Sequence, residues 1–299
     1  MKVQVLMSTY NGEKYLEEQI ESILNQDIVT VSLLVRDDGS SDSTKSILKK
    51  YSEKYSNIKV VYEDNIGVKK SFLRLVQLSD NGYDYYAFSD QDDIWKDDKL
   101  TSAVNILNSY DSKKPLLYGS SVQLMYNEGL GGIQFKNSGT EFGNFLVKNY
   151  FPGCTTVFNN SLKKLICKTD YDLLSNKPLH DHWINLICSG CGGKIIFDTT
   201  PHIYYRQHDS NVVGDVSIIK KIKNNSLWHK ENTRFNIARE LWKYYENDLT
   251  NECIKEISLV INYQKSFLKR IQLAFNPKIK PLSVIEKVVV TMTVLTGGF

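Results

Sequence analysis

Four apolar runs near the start of the chain each end in a polar or acidic cluster. KVQVLM runs into STYNGE, VSLLV into RDDGSSD, IKVVY into EDNIG, and YDYYAF into SDQDD. Between them lie segments with the apolar period of an amphipathic helix, the clearest carrying Leu16, Ile20, Ile23 and Leu24. Apolar strands alternating with helical stripes imply an α/β fold, a parallel sheet covered by helices on both faces. Sheets of this kind bind ligands in the crevice at the carboxyl ends of their strands. Randomly scattered charge would not sort itself to four strand ends, so the clusters are read as parts of one site.

Capping chemistry sets the expected helix starts. Asn11 is placed to cap the first helix, and Ser40 or Asp42 the second. Further on, PLLYGSSVQLMY reads as a strand, GGIQFKNSG as a loop or hairpin, and GCTTVFNNSLKKLIC as a strand entering a helix. LHDHWINLICSGCGG reads as helical from about Asp181, and KIIFDTT as a strand. Beyond Gly214 the chain turns to Lys- and aromatic-rich helical segments, which places a boundary at 214–218. The expected organisation is one α/β domain over 1–214, in halves of about 1–112 and 113–214, with 215–299 as a C-terminal helical extension.

Composition excludes little. A formal charge of +3 on 299 residues is too mild to point to nucleic acid. Five cysteines, an odd number in mostly apolar contexts, suit a reducing cytosol. The lone C-x-x-C of Cys188 and Cys191 lacks the second pair that a structural zinc site needs. MKVQVLMSTYNG enters a strand directly, without the apolar core of a signal peptide. No apolar stretch reaches the roughly 18 to 20 residues of a spanning helix. Lys278, Lys280 and Lys287 adjoin a short apolar end suited to a membrane surface, to a homodimer contact, or to packing on the domain. The expected location is cytoplasmic, with peripheral attachment to the inner face of the cell membrane.

The chemistry sits in four clusters. Asp90, Asp92 and Asp93 gather where a buried strand ends, and like charges repel unless something positive lies among them. The cluster is either a solvated turn or an oxygen-ligand site for a hard divalent cation shared with a substrate phosphate. Asp37 and Asp38 stand at a strand edge, where carboxylates can accept hydrogen bonds from a nucleobase or ribose. His180 and His182 flank Asp181, but residues two apart do not share a helix face, which argues against a histidine pair on one metal. Asp181 suits a helix cap or a general base within reach of a hydroxyl proton. His208, beside Arg206 and near Asn211, can neutralise a departing phosphate or complete a metal shell.

As a set, VLMSTYNGEKYLEEQIESILNQ, VRDDGSSDST, SDQDDIW, PGCTTVFN, HDHW and YRQHDSNVVG resemble the family 2 glycosyltransferases, over residues 1–214. SDQDDIW, HDHW and the Q-H-x-x-N ending together resemble more narrowly the bacterial rhamnosyltransferases, which use dTDP-β-L-rhamnose to build cell-wall or capsular polysaccharide. The resemblance implies a GT-A fold, a nucleotide-sugar donor in the first half, an acceptor in the second, and inversion at the sugar carbon. It places Thr9, Tyr10, Asn11 and Glu13 in the nucleotide pocket, and Asp37 and Asp38 at the pyrimidine. Lys70, Asp90, Gln91 and Arg206 fall on the sugar and diphosphate side. Mg²⁺ or Mn²⁺ is implied on Asp90, Asp92 and His208, with Asp92 the direct ligand. Asp181 takes the role of general base, and Gly153, Cys154, Thr155, His182 and Trp183 line the acceptor site. His182 departs from many relatives, which carry an aromatic pair after the base. The implied acceptor is a glycan or lipid-linked glycan. A UDP-sugar donor (glucose, galactose or N-acetylhexosamine) and a non-catalytic sugar-nucleotide-binding protein are the alternatives.

Overall fold

In the computed structural model, which describes residues 1–27, 30–174, 178–208 and 233–299, the four apolar runs become neighbouring strands. They are β1 (Lys2–Thr9), β2 (Thr30–Asp38), β3 (Ile58–Glu63) and β4 (Tyr85–Ser89), side by side as β4-β1-β2-β3 and all parallel. Between the strands run α1 (Leu16–Leu24), α2 (Thr44–Lys54) and α3 (Val68–Leu78). β1 is buried almost throughout instead of alternating, because helices cover both faces of the sheet. Val3, Val5 and Met7 join the core under α1 with Leu16, Ile20 and Ile23. Leu6, one pleat out of step, joins the opposite core with Phe72, Leu75 and Val76 of α3.

The sheet continues across the second half of the chain. After β5 (Ile94–Trp95) and α4 (Lys99–Leu107), β6 (Leu116–Ser120), β9 (Val157–Asn159) and β10 (Lys194–Asp198) complete seven strands in the order β10-β6-β9-β4-β1-β2-β3. β9 runs antiparallel to both β4 and β6, and so joins the two halves. PLLYGSSVQLMY is two strands where one was expected. The Ser121 N–H donates to the Asp198 carbonyl, and the chain then leaves for a second sheet as β7 (Val122–Tyr126). That sheet, β5-β11-β7-β8, includes β8 (Gly129–Gln134) and β11 (Ile203–Arg206).

One of the expected helix caps is corrected. α1 starts at Leu16 without a side-chain cap, and Asn11 instead sits in the left-handed region at φ 47°. Asparagine tolerates that conformation. Its Oδ1 accepts the Ser41 N–H at 2.9 Å. Asp42 does hold the Thr44 N–H at the start of α2, whereas Ser40 turns inward to Asp37. The physical reason is exchange between loops: Glu13 accepts the Ser43 N–H, and Asp42 accepts the Glu13 N–H.

α5 (Phe142–Phe145), α6 (Asn160–Ile166) and α7 (His180–Gly190) cover one face of the sheet. The described part of the C-terminal extension is helical: α8 (Thr233–Tyr245), α9 (Asn251–Asn262), α10 (Phe267–Ala274) and α11 (Val284–Thr296). Ile237, Leu241, Tyr245, Ile257 and Val260 share a core with Trp183, Ile184 and Ile187 of α7. The expected boundary at 214–218, and Asn211, lie outside the described residues.

Arg36 ties the ends of β2 and β3 together while fully buried. It donates to Asp38 (2.6 Å), Ser71 (2.9 Å), Glu63 (2.8 Å) and the Asp64 carbonyl (2.8 Å). Removing one partner of a buried ion pair strands the other, at a cost of about 3 to 5 kcal/mol. Arg36→Met is therefore expected to lower the unfolding free energy by about that amount in urea titration. A midpoint close to that of the parent would show that Asp38 does not depend on this cation.

Candidate functional site

The site begins at the carboxyl ends of β1 and β2. Asp37, fully buried, accepts from the Thr9 hydroxyl at 3.1 Å, the Ser40 hydroxyl at 2.5 Å and the Ser40 N–H at 3.0 Å. Asp38 is as deeply held: one oxygen takes Arg36 and the Ile66 N–H, the other the Gly67 N–H. Both carboxylates thus build the loops around the crevice. Tyr10, half exposed beside them, is the open aromatic surface here. Its backbone N–H donates to Gln91 Oε1 at 2.8 Å, and the Gln91 amide donates back to its carbonyl at 3.1 Å. The missing side chain of Gly12 makes room for this bridge, since a Cβ there would collide with the Gln91 amide.

β4 delivers the acidic turn, and the end of β11 clamps it. The Arg206 N–H donates to Asp93 Oδ1 at 3.2 Å, and its guanidinium donates to the Asp92 carbonyl at 2.8 Å and to Glu18 at 2.5 Å. His208 Nε2 lies 2.9 Å from Asp92 Oδ2 and is the donor, because a carboxylate only accepts. Tyr15 stacks on the His208 ring at 5.4 Å and under the Arg206 guanidinium at 4.3 Å. No motif singled out Tyr15 or Glu18. Their one sequence signal is position, in the first turns after the β1 cluster.

Among the described residues one group brings three potential metal donors together: single ligand atoms of Asp90, Asp93 and Cys154 lie within 4.8 Å of one another. Asp93 both orders the turn and enters the cluster, with its buried Oδ2 lacking a hydrogen-bond partner. Asp92 instead turns to His208. Burial, and after it the charges of Asp92 and Asp181, push the Asp90 carboxyl up to about 7. Burial also pushes Asp93 and the Cys154 thiol well up, so the thiol stays protonated. Oxygen donors suit a hard divalent cation, whereas a neutral thiol does not. Lys99 lies below, fully buried over the Trp95 ring at 3.4 Å, and burial lowers its ammonium to about 7.

Across the crevice, Asp181 sits in the first turn of α7, with Oδ1 accepting the His182 N–H at 2.7 Å. Burial raises its carboxyl to about 6, against the backbone N–H groups of His182 and Gly153, which favour the charged form. The shift that its charge imposes on Asp90 places the two carboxylates in one electrostatic site. Gly153, Cys154 and Thr155 form the short helical turn that backs this site.

Other residues weighed in the sequence are held elsewhere. His180 stacks on Phe72 at 4.0 Å and meets the edge of Phe88, and burial keeps it neutral with a value near 3. His182 Nε2 reaches the Phe145 carbonyl at 2.6 Å, and fully buried Trp183 donates to Thr169 at 3.1 Å. Helix geometry turns the positions beside Asp181 away from it and into the core. Lys70 pairs with Asp172 at 2.7 Å in an outer cleft with Arg74. Cys188 of the C-x-x-C is buried, its thiol directed at the Pro115 and Lys194 carbonyls.

Comparison with known proteins gives this geometry a context. A sequence model described as glycosyl transferase family 2 matches residues 4–113. The chain is 32% identical over 276 residues to the dTDP-rhamnosyl transferase RfbG of Shigella flexneri, spanning 87% of this chain and 93% of that one. It is 33% identical over 106 residues to the putative teichuronic acid biosynthesis glycosyltransferase TuaG of Bacillus subtilis, spanning 35% and 41% of the two chains. The S. aureus TarS structure in complex with UDP-GlcNAc superposes with a TM-score of 0.59 at 18% identity, over 99% of this chain and 82% of that one. The mannosyltransferase PcManGT from Pyrobaculum calidifontis, in complex with GDP-Man and Mn²⁺, gives 0.51 at 12% identity, over 99% and 86%. At such identities the two structures show a shared fold.

The packing of Gly153 offers a test that needs no substrate. A Cβ there would stand 2.5 Å from His180 Nε2 and 3.2 Å from the Asp181 Cβ, and the His180 ring is wedged between aromatics. Overpacking of this kind costs about 1 to 3 kcal/mol. Gly153→Ala is expected to lower the urea midpoint accordingly, and an unchanged midpoint would mean that the turn can yield.

Proposed function

The chain belongs to glycosyl transferase family 2 and is a glycosyltransferase of GT-A fold, and we propose that it moves L-rhamnose from dTDP-β-L-rhamnose to a hydroxyl of a bacterial polysaccharide acceptor. The likeness to a dTDP-rhamnosyl transferase along 87% of the chain supports the donor. The observation that carries the reaction type is Asp181, a buried carboxylate opposite the acidic turn, raised to about 6 and so poised to take a proton near neutrality.

The step balances as a single displacement. The acceptor oxygen bonds to the anomeric carbon, and its proton passes to the Asp181 carboxylate. The bond from that carbon to the diphosphate oxygen breaks, and the electron pair leaves with dTDP. Attack from the face opposite the leaving group inverts the configuration, so a β-linked donor gives an α-rhamnoside. Positive charge for the departing diphosphate comes from Arg206, which the chain holds over the acidic turn beside His208.

The site fits a hard divalent cation: it gathers carboxylates, and Asp93 leaves a buried oxygen without a partner. Asp90 and Asp92, with His208 and the unpartnered Asp93 oxygen beside them, would hold Mg²⁺ or Mn²⁺. Such an ion, when bound, supplies Lewis-acid charge to the diphosphate. The acceptor in this reading is a cell-wall or capsular glycan, free or lipid-linked.

A panel of nucleotide sugars offered with a rhamnose-terminated acceptor tests the donor: turnover of dTDP-rhamnose is expected, and turnover of UDP-sugars alone would overturn the rhamnosyl reading. Asp181→Asn is expected to lower kcat about 10²- to 10⁴-fold while leaving dTDP affinity unchanged. The base works deprotonated, so kcat/KM should fall about tenfold per pH unit below about 6, and rise to a plateau above it. An acid limb surviving in Asp181→Asn would assign that ionisation to another group. EDTA is expected to stop transfer and Asp92→Ala to weaken Mn²⁺ binding in titration. Full activity under chelation would remove the metal from the reaction.

A further inference from the structure

The C-terminal helices bury one side and leave the other apolar side uncovered. Phe267 and Leu268 open α10 with 64% and 72% exposure, and Phe275 closes it at 68%. On α11, Val284, Ile285 and Val288 are 78%, 63% and 60% exposed. The helices pack as a hairpin: Arg270 donates to the Leu295 carbonyl, and the Thr291 hydroxyl to the Ala274 carbonyl. Exposed apolar residues therefore lie on both helices of one hairpin. A patch of this extent on a monomer marks an interaction site.

Charge decides what covers it. From residue 264 to 299 the chain carries Lys265, Lys269, Arg270, Lys280 and Lys287, with Lys278 paired to Glu252, against one acid, Glu286. That acid is already paired with Lys148 at 2.6 Å. A second copy docked on the same surface would set this positive excess against itself. An anionic bilayer meets both properties, taking apolar side chains into the headgroup boundary and lysines onto lipid phosphates. Among the described residues no helix is long and apolar enough to cross a membrane, which fits a surface that lies on the bilayer.

We infer that the α10–α11 hairpin docks the protein on an anionic lipid bilayer. The surface is tied to the acceptor side of the site. The Lys280 carbonyl accepts from the Asn144 amide at 2.9 Å, and a Cβ on Gly143 would come within 2.5 Å of the Lys278 carbonyl. The chain then runs from α5 to Gly153, beside Asp181. Docking thus holds the acceptor half next to the membrane.

Flotation of the full chain with vesicles tests this without any sugar nucleotide, so its failure is separate from that of the donor reading. The protein is expected to float with phosphatidylcholine vesicles carrying about 30% phosphatidylglycerol, and not with phosphatidylcholine alone. Leu268→Glu combined with Val284→Glu, both at exposed positions, should weaken vesicle binding at least about tenfold while thermal midpoint and dTDP affinity stay unchanged. Flotation of the variant equal to that of the parent would overturn the inference. So would a parent that ignores vesicles but forms a dimer, by light scattering, that the two substitutions dissolve.

Discussion

Carboxylates do not converge on one sheet edge unless cations hold them there, and the placement of much of this chain follows from that repulsion. Asp37, Asp38, Asp90, Asp92 and Asp93 all end parallel strands or the turn after them, and Asp181 faces them from α7. Arg36 neutralises from within the sheet, and Arg206 from above. These cations come from β2 and the end of β11. The clamp over the acidic turn also recruits α1, whose Tyr15 and Glu18 orient the Arg206 guanidinium. Electrostatics at the crevice and the mutual position of the two sheets are in this sense one problem.

The same edge separates two kinds of acid. Asp37 and Asp38 have their oxygens filled by protein donors and act as internal staples for loops. Asp90, Asp93 and Asp181 are pushed toward protonation by burial, so each is an incomplete arrangement until a ligand or a proton arrives. Groups poised in this way mark the chemistry more reliably than the number of acids in a motif.

Much of the architecture was legible because parallel strands, covered on both faces, leave long unbroken apolar runs in the chain. The break between β6 and β7 was not, since the short Gly119–Ser121 interruption does not show that the partner strand changes. Local patterns also misplaced Asn11, whose actual partner Ser41 lies thirty residues away in the neighbouring loop. Which acids of the Asp90–Asp93 turn point at one another was not legible, because a non-repeating turn has no period from which side-chain direction can be read. The position of Trp183 was available in principle. Two residues advance a helix by about 200°, so it must face away from Asp181.

β9 bears on how such a chain can be made. It fills the gap between β4 and β6, pairing with both, yet it belongs to a segment that follows them by many residues. Until Val157–Asn159 emerges during synthesis, β4 and β6 each carry an open edge of unpaired amides and carbonyls. Such edges invite pairing with other chains. The first half of the chain therefore cannot complete its own sheet, and premature termination between these strands would leave a sticky intermediate in place of a smaller working domain.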